Sequence, residues 1–180
     1  RIATASRDGT ARLWNKDGKF IKELKGHKDW VYRVVFSPDG KQIATASRDR
    51  NVLLWDRNGS FIKRMEGYQY IKDIAFSLKG KLIAIAYYDG TVRLWDKQSH
   101  YMLQEFVGHD NQIHSVAFSP DGKQIATGSR DGSARLWSVV SIEQLDQLLN
   151  SGCDWLKDYF VTHPKELERL KACHKYREKK

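Results

Sequence analysis

Residues 26–55 read GHKDWVYRVVFSPDGKQIATASRDRNVLLW, and the rest of residues 1–137 repeats this stretch. Residues 108–137 read GHDNQIHSVAFSPDGKQIATGSRDGSARLW, a divergent copy spans residues 67–95, and residues 1–14 match the end of the unit. The copies end at Trp14, Trp55, Trp95 and Trp137, so the successive spacings are 41, 40 and 42 residues. A repeat of this period indicates an array of small structural units, each of which buries its apolar face against its neighbours.

Each full unit is predicted to contain four antiparallel β-strands. In the copy that starts at Gly26, the strand segments are Val31–Phe36, Gln42–Ser47, Asn51–Trp55 and Phe61–Met65. They have strand length, are rich in β-branched and aromatic residues, and are bounded by Gly, Pro, Asp and Asn. The turn Arg48-Asp49-Arg50 lacks the glycine found in the other copies, which predicts a wider or strained turn.

The pattern changes after Trp137, where apolar residues recur at helical spacing behind the capping box Ser141-Ile142-Glu143-Gln144. The predicted fold class is therefore all-β, with about 14 strands in residues 1–140, followed by a short α-helical cap in residues 141–180. The predicted units are a partial one at 1–25, full ones at 26–66 and 67–107, and a partial one at 108–140.

The repeats resemble those of the WD-repeat family of β-propellers. The resemblance is carried by Gly26-His27 and Gly108-His109, the SPDG turns, the turn aspartates, and Trp55-Asp56 and Trp95-Asp96. Two copies depart from the final dipeptide, with Trp14-Asn15 and Trp137-Ser138. The resemblance implies an incomplete propeller of about three and a half four-stranded blades. Ring completion is then expected from further repeats of the same chain or from another copy.

The resemblance also implies a structural hydrogen-bond network in each blade. In it the indole N–H bonds a serine hydroxyl, the serine bonds a histidine, and the histidine bonds the turn aspartate. The residues in these positions are His27, Ser47, Asp49, Trp55, His109, Ser129, Asp131, Trp137, Ser6, Asp8, Trp14, Asp89 and Trp95. The divergent copy has Tyr68 and Tyr87 at the histidine and serine positions. In the first copy no histidine is present, so Asp8 is expected to have lost its partner.

Catalysis is not predicted from the recurring Ser, His and Asp. A hydrolase needs one such set at a cleft, whereas this set recurs from blade to blade together with an indole. Cys153, His163, Cys173 and His174 fit no common zinc spacing, and no GxxxxGK[ST] sequence is present. We therefore expect no enzyme activity, no metal and no cofactor.

A protein or peptide partner is expected to bind one rim of the blades, where the innermost strands begin. The residues placed there are Trp30, Tyr32, Arg48, Tyr70, Lys72, Tyr88, Gln112, His114 and Arg130. Trp, Tyr and Arg are enriched in binding hot spots. The alternative is that Trp30 and Tyr70 only cover strand ends, since isolated exposed aromatic residues are common.

The net charge is +9, of which residues 1–140 carry +8 (23 Lys or Arg, 15 Asp or Glu) and residues 141–180 carry +1 (8 and 7). Most of the lysines are single and lie in turns, so nucleic-acid binding is an alternative but not the preferred interpretation. No apolar run approaches the ~20 residues of a membrane helix. Two cysteines in the whole chain favour a reducing, cytoplasmic location.

The predicted function is a non-catalytic protein–protein interaction scaffold. The segment LLNSGCDWLKDYF, residues 148–160, resembles the closing segment of cyanobacterial-type WD-repeat proteins. That resemblance implies the C-terminal part of a larger bacterial regulatory or signalling protein, associated with a NACHT-type ATPase. The alternatives are a basic scaffold associated with nucleic acid and a non-functional gene fragment.

Overall fold

A computed structural model gives the structure of the chain, which divides into two compact units, residues 1–139 and 140–180. The structure describes residues 1–67, 69–99 and 101–139. The predicted helical cap, Tyr68 and both cysteines therefore lie outside the described residues.

The described residues form four antiparallel sheets, each a meander of consecutive strands. Sheet I contains β1 (Ile2–Ala5), β2 (Ala11–Trp14) and β3 (Phe20–Leu24). Sheet II contains β4 (Val31–Phe36), β5 (Gln42–Ser47), β6 (Asn51–Asp56) and β7 (Phe61–Glu66). Sheet III contains β8 (Ile71–Phe76), β9 (Leu82–Tyr87), β10 (Val92–Asp96) and β11 (Met102–Phe106). Sheet IV contains β12 (Ile113–Phe118), β13 (Gln124–Ser129) and β14 (Ala134–Ser138).

The all-β fold predicted for the repeats is confirmed within the described residues. The four strands of sheet II agree with the predicted segments to within one residue. Strand β5 pairs with β6 so that Thr45 lies opposite Leu53 and Ile43 opposite Trp55. The equivalent register recurs in sheet IV, where Ile125 lies opposite Trp137. Equal sequence spacing has thus produced equal strand pairing.

Consecutive sheets pack face to face through three apolar cores. Between sheets II and III, Ala46 and Leu54 pack with Ile74 and Ile85. The other two cores join sheet I to II and sheet III to IV. Because sheets II and III have a neighbour on each face, strand β9 is buried along nearly its whole length and reads as the continuous apolar run LIAIAY.

Two faces at the ends of this stack have no neighbour among the described residues. On sheet I, Ile2 is 49% exposed, although the equivalent Ile43 of sheet II is fully buried. On sheet IV, Leu136 is 70% exposed, although the equivalent Leu94 of sheet III is fully buried. The same apolar positions are therefore buried inside the stack and open at both of its ends.

The turn between β5 and β6 keeps the shape of the other copies without their glycine. Arg50 has φ +72°, next to +83° for Gly9, +82° for Gly90 and +83° for Gly132. A side chain with a Cβ costs energy in this left-handed region. The sequence-based prediction of a strained turn is therefore confirmed.

Candidate functional site

A buried chain of hydrogen bonds runs through sheet II from the indole to the turn aspartate. Trp55 Nε1–H donates to Thr45 Oγ1 at 3.0 Å. Thr45 Oγ1 lies 2.8 Å from His27 Nε2, and His27 Nδ1 lies 3.0 Å from Asp49 Oδ2. The same three contacts occur in sheet IV among Trp137, Thr127, His109 and Asp131. Each network holds the loop before an innermost strand against the β5–β6 turn or its equivalent.

The hydroxyl in these networks belongs to threonine, so the assignment of Ser47 and Ser129 to this role is corrected. Ser47 Oγ instead donates to the carbonyl of Asp29 at 2.9 Å and accepts the backbone N–H of Asp49 at 3.0 Å. Ser129 makes the equivalent contacts with Asn111 and Asp131. Thr45 and Ser47 point to the same side of the strand, and the indole reaches Thr45 because Thr45 lies diagonally opposite Trp55.

Neutral His27 fits every donor and acceptor of the sheet II network. Burial lowers the pKa of His27, although the neighbouring Asp49 carboxylate opposes this. For Asp49, burial acts to raise the pKa, but backbone N–H groups of Lys28 and Asn51 together with His27 lower it overall. Neutral imidazole can donate from Nδ1 to Asp49 and accept the Thr45 hydroxyl at Nε2. The network therefore consists of a neutral His and an ionised Asp.

The two other sheets depart from this arrangement in different ways. In sheet I, Trp14 donates to Thr4 at 3.0 Å. The expectation that Asp8 has lost its partner is wrong. Its side chain is 44% exposed, accepts hydrogen bonds from Thr10 and pairs with Arg12 at 2.9 Å. Ser6 accepts the backbone N–H of Asp8, as Ser47 does for Asp49.

In sheet III, Ile85 takes the threonine position, so no threonine hydroxyl faces the indole of Trp95. The ring of Tyr87 is fully buried, and burial raises the pKa of its hydroxyl to about 12. Asp89 accepts from the backbone N–H and the hydroxyl of Thr91 and pairs with Arg93 at 3.7 Å. In this sheet Ile85 and the ring of Tyr87 belong to the apolar core that packs against Trp95.

The predicted rim residues lie at one edge of the sheets, where backbone hydrogen bonds join them in pairs. The backbone N–H of Arg48 donates to the carbonyl of Trp30 at 2.9 Å. Tyr88 donates to Tyr70 at 2.8 Å, and Arg130 donates to Gln112 at 2.9 Å. Sheets II, III and IV thus present equivalent pairs at the same edge, which we call the rim.

A β-bulge brings a further residue of each innermost strand to this rim. The register of β4 against β5 skips Tyr32, and the equivalent skips in β8 and β12 fall at Lys72 and His114. A bulged residue is unpaired, and its side chain is re-aimed relative to the regular strand. The Lys72 ammonium consequently lies 4.9 Å from the ring centre of Tyr32 and 5.4 Å from that of Tyr88.

Rings and cations alternate along the rim. The guanidinium of Arg48 lies 5.1 Å from the ring centre of Trp30 and 5.5 Å from that of Tyr70. Trp30 meets Tyr32 edge to face at 6.2 Å, and Tyr70 meets Tyr88 at 6.3 Å. Edge-to-face rings and ring–cation contacts stabilise this arrangement without closing it off from solvent.

Not every predicted rim residue is exposed to solvent. Gln112 is only 5% exposed, contrary to its prediction as a binding residue, because it is covered where β12 begins. His114 and Arg130 are exposed on the same sheet.

Two cations at the rim were not predicted from the sequence. Arg7 occupies in sheet I the position of Arg48, and its guanidinium lies 4.6 Å from the ring centre of Trp30. The spacing of 41 residues between Arg7 and Arg48 was a signal that could have found it. Arg50 lies 5.5 Å from the ring centre of Tyr70, which no repeat position could have shown because the other copies have glycine there.

Asp73 forms an unexpected tie between three sheets. Its carboxylate pairs with Arg33 of β4 at 2.8 Å and accepts the backbone N–H of Val116 of β12 at 3.0 Å. Burial raises the pKa of Asp73, although Val116 and Arg33 act to lower it. The contact stabilises the packing of sheets II, III and IV at their innermost strands.

The geometry of the described residues gives these polar groups a structural role. The side chains of His27 and Asp49 are 1% and 8% exposed, so a substrate cannot reach them. Within residues 1–67, 69–99 and 101–139, no group of three or more His, Cys, Asp or Glu side chains is placed to hold a metal ion. No helix that is long and apolar enough to cross a membrane occurs in the described part of the chain.

The family model for "WD domain, G-beta repeat" matches residues 1–15, 18–56, 59–96 and 101–138. Individual relatives match about one repeat. Nuclear distribution protein nudF 2 of Talaromyces marneffei is 52% identical over 42 residues, 23% of this chain and 9% of that protein. Nuclear distribution protein PAC1 of Fusarium vanettenii is 55% identical over 40 residues, 22% and 9% of the two chains. WD repeat and SOCS box-containing protein 1 of Homo sapiens is 46% identical over 44 residues, 23% and 10%. The chain thus spans about a tenth of the length of these relatives.

Proposed function

The chain belongs to the WD-repeat family, and from this premise we propose that it is a non-catalytic scaffold that binds a protein or peptide partner at its rim. The observation that supports this most directly is the alternation of rings and cations along one edge of the sheets. Trp30, Tyr70 and Arg48 are of the residue types that dominate protein interfaces, and Tyr70 and Tyr88 are 36% and 48% exposed.

The division of labour within each repeat supports the same proposal. His27, Thr45 and Trp55 are buried and hold the strands together, whereas Trp30 and Arg48 lie between them in the sequence but reach the surface. Removing a rim side chain should therefore leave the fold intact. The side chains of the rim can therefore differ from repeat to repeat without loss of stability in the sheets.

Peptide display against the full chain would test this proposal without knowledge of the natural partner. Peptides selected on the wild-type chain are then measured against a triple variant, Trp30→Ala, Tyr70→Ala and Arg130→Ala. A matched control variant carries Lys41→Ala, Lys81→Ala and Lys123→Ala, in the turns at the opposite edge of sheets II, III and IV. We expect binding to be lost in the rim variant and kept in the control. Peptides that bind both variants like the wild type would exclude the rim as the binding surface.

We also propose that the two open end faces pack against further repeats of the same chain or against another copy. Sheet I exposes Ile2, and sheet IV exposes Leu136, at positions that are buried in every sheet with a neighbour. Open apolar faces favour association. Light scattering coupled to size-exclusion chromatography is expected to show a dimer, which Leu136→Glu should dissociate. A monomer at all concentrations would leave only further repeats as the neighbour.

The larger protein to which the chain belongs and its cellular location are proposals as well. A larger bacterial regulatory or signalling protein of the NACHT type rests on the resemblance of residues 148–160 alone, whereas the relatives described above come from fungi and from human. A cytoplasmic location rests on the sparse cysteines. Genomic sequence upstream of residue 1 that encodes more repeats and a phosphate-binding loop would establish the proposed parent protein.

A further inference from the structure

The cations of the rim have almost no carboxylate partners. Arg7, Arg48 and Arg130 hold the same position in sheets I, II and IV, and Arg50 and Lys72 lie beside them. Within the described residues, the one carboxylate in ion-pair contact with any of these five cations is that of Asp29, 3.9 Å from Arg48. An exposed pair at this distance contributes little. None of these five cations therefore has a close ion-pair partner among the described residues.

Neighbouring carboxylates are engaged elsewhere. Asp8 pairs with Arg12, and Asp49 and Asp131 accept hydrogen bonds from the buried histidines. Asp89 accepts from Thr91. Among the described residues, these four aspartates thus form their contacts with Arg12, Thr91 and the buried histidines, and none of them forms an ion pair with a cation of the rim.

The absence of a carboxylate partner in the described part of the chain also bears on the pKa of Lys72. Burial lowers the pKa of Lys72, and the positive charges of Arg48 and Arg130 lower it further. A bound anion would relieve this repulsion, because an opposite charge stabilises the ammonium form.

The rings hold the cations in place rather than offering themselves as stacking surfaces. Arg7 and Arg48 lie over Trp30, and Arg48 and Arg50 lie over Tyr70. Lys72 lies over both Tyr32 and Tyr88. A guanidinium stacked on a ring keeps its N–H edge free, and that planar edge matches a carboxylate through two parallel hydrogen bonds.

We infer that the rim of sheets I to IV recognises an acidic segment of a protein partner, an extended peptide whose Asp or Glu side chains bind the ring-stacked cations. This inference rests on the proposed function and adds the chemistry of the partner to it. Nucleic acid suits the site less well, since single-stranded bases need open ring faces on which to stack. All four rim rings already have a cation over them.

The test measures fluorescence anisotropy of a labelled polyglutamate peptide with the full chain, with polyglutamine as the uncharged counterpart. The rim-charge variant is Arg7→Ala, Arg48→Ala and Arg130→Ala. The control is the variant Lys41→Ala, Lys81→Ala and Lys123→Ala, which loses the same charge at the opposite edge. We expect the rim-charge variant to bind polyglutamate about tenfold more weakly, the size of three exposed ion pairs, and the control to bind like the wild type. Polyglutamine should not bind.

Four results would overturn the inference. Equal weakening in the rim-charge variant and the lysine control would show attraction to net charge alone. An unchanged affinity in the variant Arg7→Lys, Arg48→Lys and Arg130→Lys would show that the planar guanidinium edge is not used. An oligothymidylate of the same charge that displaces polyglutamate from the rim and binds more tightly would identify nucleic acid as the ligand class. If displayed peptides bind the rim but contain no excess of Asp or Glu, the acidic partner is excluded while the proposed function stands.

Discussion

Thr45→Val is the substitution that tests the buried network most directly. Valine has nearly the shape of threonine, so the packing of the fully buried side chain is kept. The hydroxyl that joins Trp55 to His27 is lost, however, at contacts of 3.0 Å and 2.8 Å. The change therefore removes hydrogen bonds from the core without opening a cavity.

The expected loss of stability follows from the two groups left behind. The indole N–H of Trp55 becomes a buried donor without an acceptor, and His27 Nε2 becomes a buried acceptor without a donor. Each unsatisfied group costs about 1–3 kcal/mol. We expect the free energy of unfolding to fall by about 3 kcal/mol, a large share of the ~5–15 kcal/mol typical of a folded domain.

Urea unfolding of the full chain, followed by circular dichroism, would measure this difference as a lower midpoint with an unchanged slope. Thr45→Ser should recover most of the loss, because the hydroxyl returns and only a methyl group is missing, at about 1 kcal/mol. Ser47→Ala is the comparison that separates the two candidate hydroxyls. It should cost about 1 kcal/mol through the lost contacts with Asp29 and Asp49.

A Ser47→Ala variant less stable than Thr45→Val would refute this reasoning. It would indicate that the indole N–H of Trp55 donates to the hydroxyl of Ser47 rather than to that of Thr45. NMR offers an independent check, since the indole N–H resonance of Trp55 should shift in Thr45→Val and stay in place in Ser47→Ala. A resonance that moves only in the serine variant would lead to the same conclusion.

Two further predictions concern the same sheet. The lowered pKa of His27 means that the unfolded chain, with an ordinary value of 6.5, takes up a proton first. The stability contributed by neutral His27 is thus complete above about pH 6.5 and is lost as the pH falls below it; urea midpoints from about pH 7.5 to 5 should show this, and less so in His27→Gln. Arg50→Gly should exceed Arg50→Ala in stability by about 1 kcal/mol, because both lose the guanidinium and only alanine keeps the Cβ strain at φ +72°. Equal thermal unfolding of these two variants would show that the turn is not strained.

Sequence periodicity could predict much of the fold because each repeat carries its own local signals. Turn residues at equal offsets mark strand ends, and the strands of sheet II appear where those signals place them. The rim positions were predictable for the same reason, since Trp30 and Arg48 adjoin the turns that define the repeat. Even the strain at Arg50 followed from a missing glycine.

Contacts that depend on strand register were less accessible. Strand alternation places Thr45 and Ser47 on one face, so both hydroxyls satisfy the pattern. The choice between them depends on how far the indole of Trp55 reaches across to the neighbouring strand. Gln112 illustrates the same limit, because its polar side chain follows the exposed Asn111 and only packing shows that it is buried.

The sequence by itself determined that residues 1–137 form repeated antiparallel β-units, because turn chemistry and strand patterning act over a few residues. Only the tertiary structure decided which side chains of one unit contact those of the next. Asp73 of sheet III bonds Arg33 and Val116 of the two flanking sheets. Arg7 of sheet I and Arg48 of sheet II lie over the one ring of Trp30. The contacts that cross from one sheet to another join residues 23 to 43 positions apart, and they exist because the face-to-face packing of sheets brings the same edge of every repeat together.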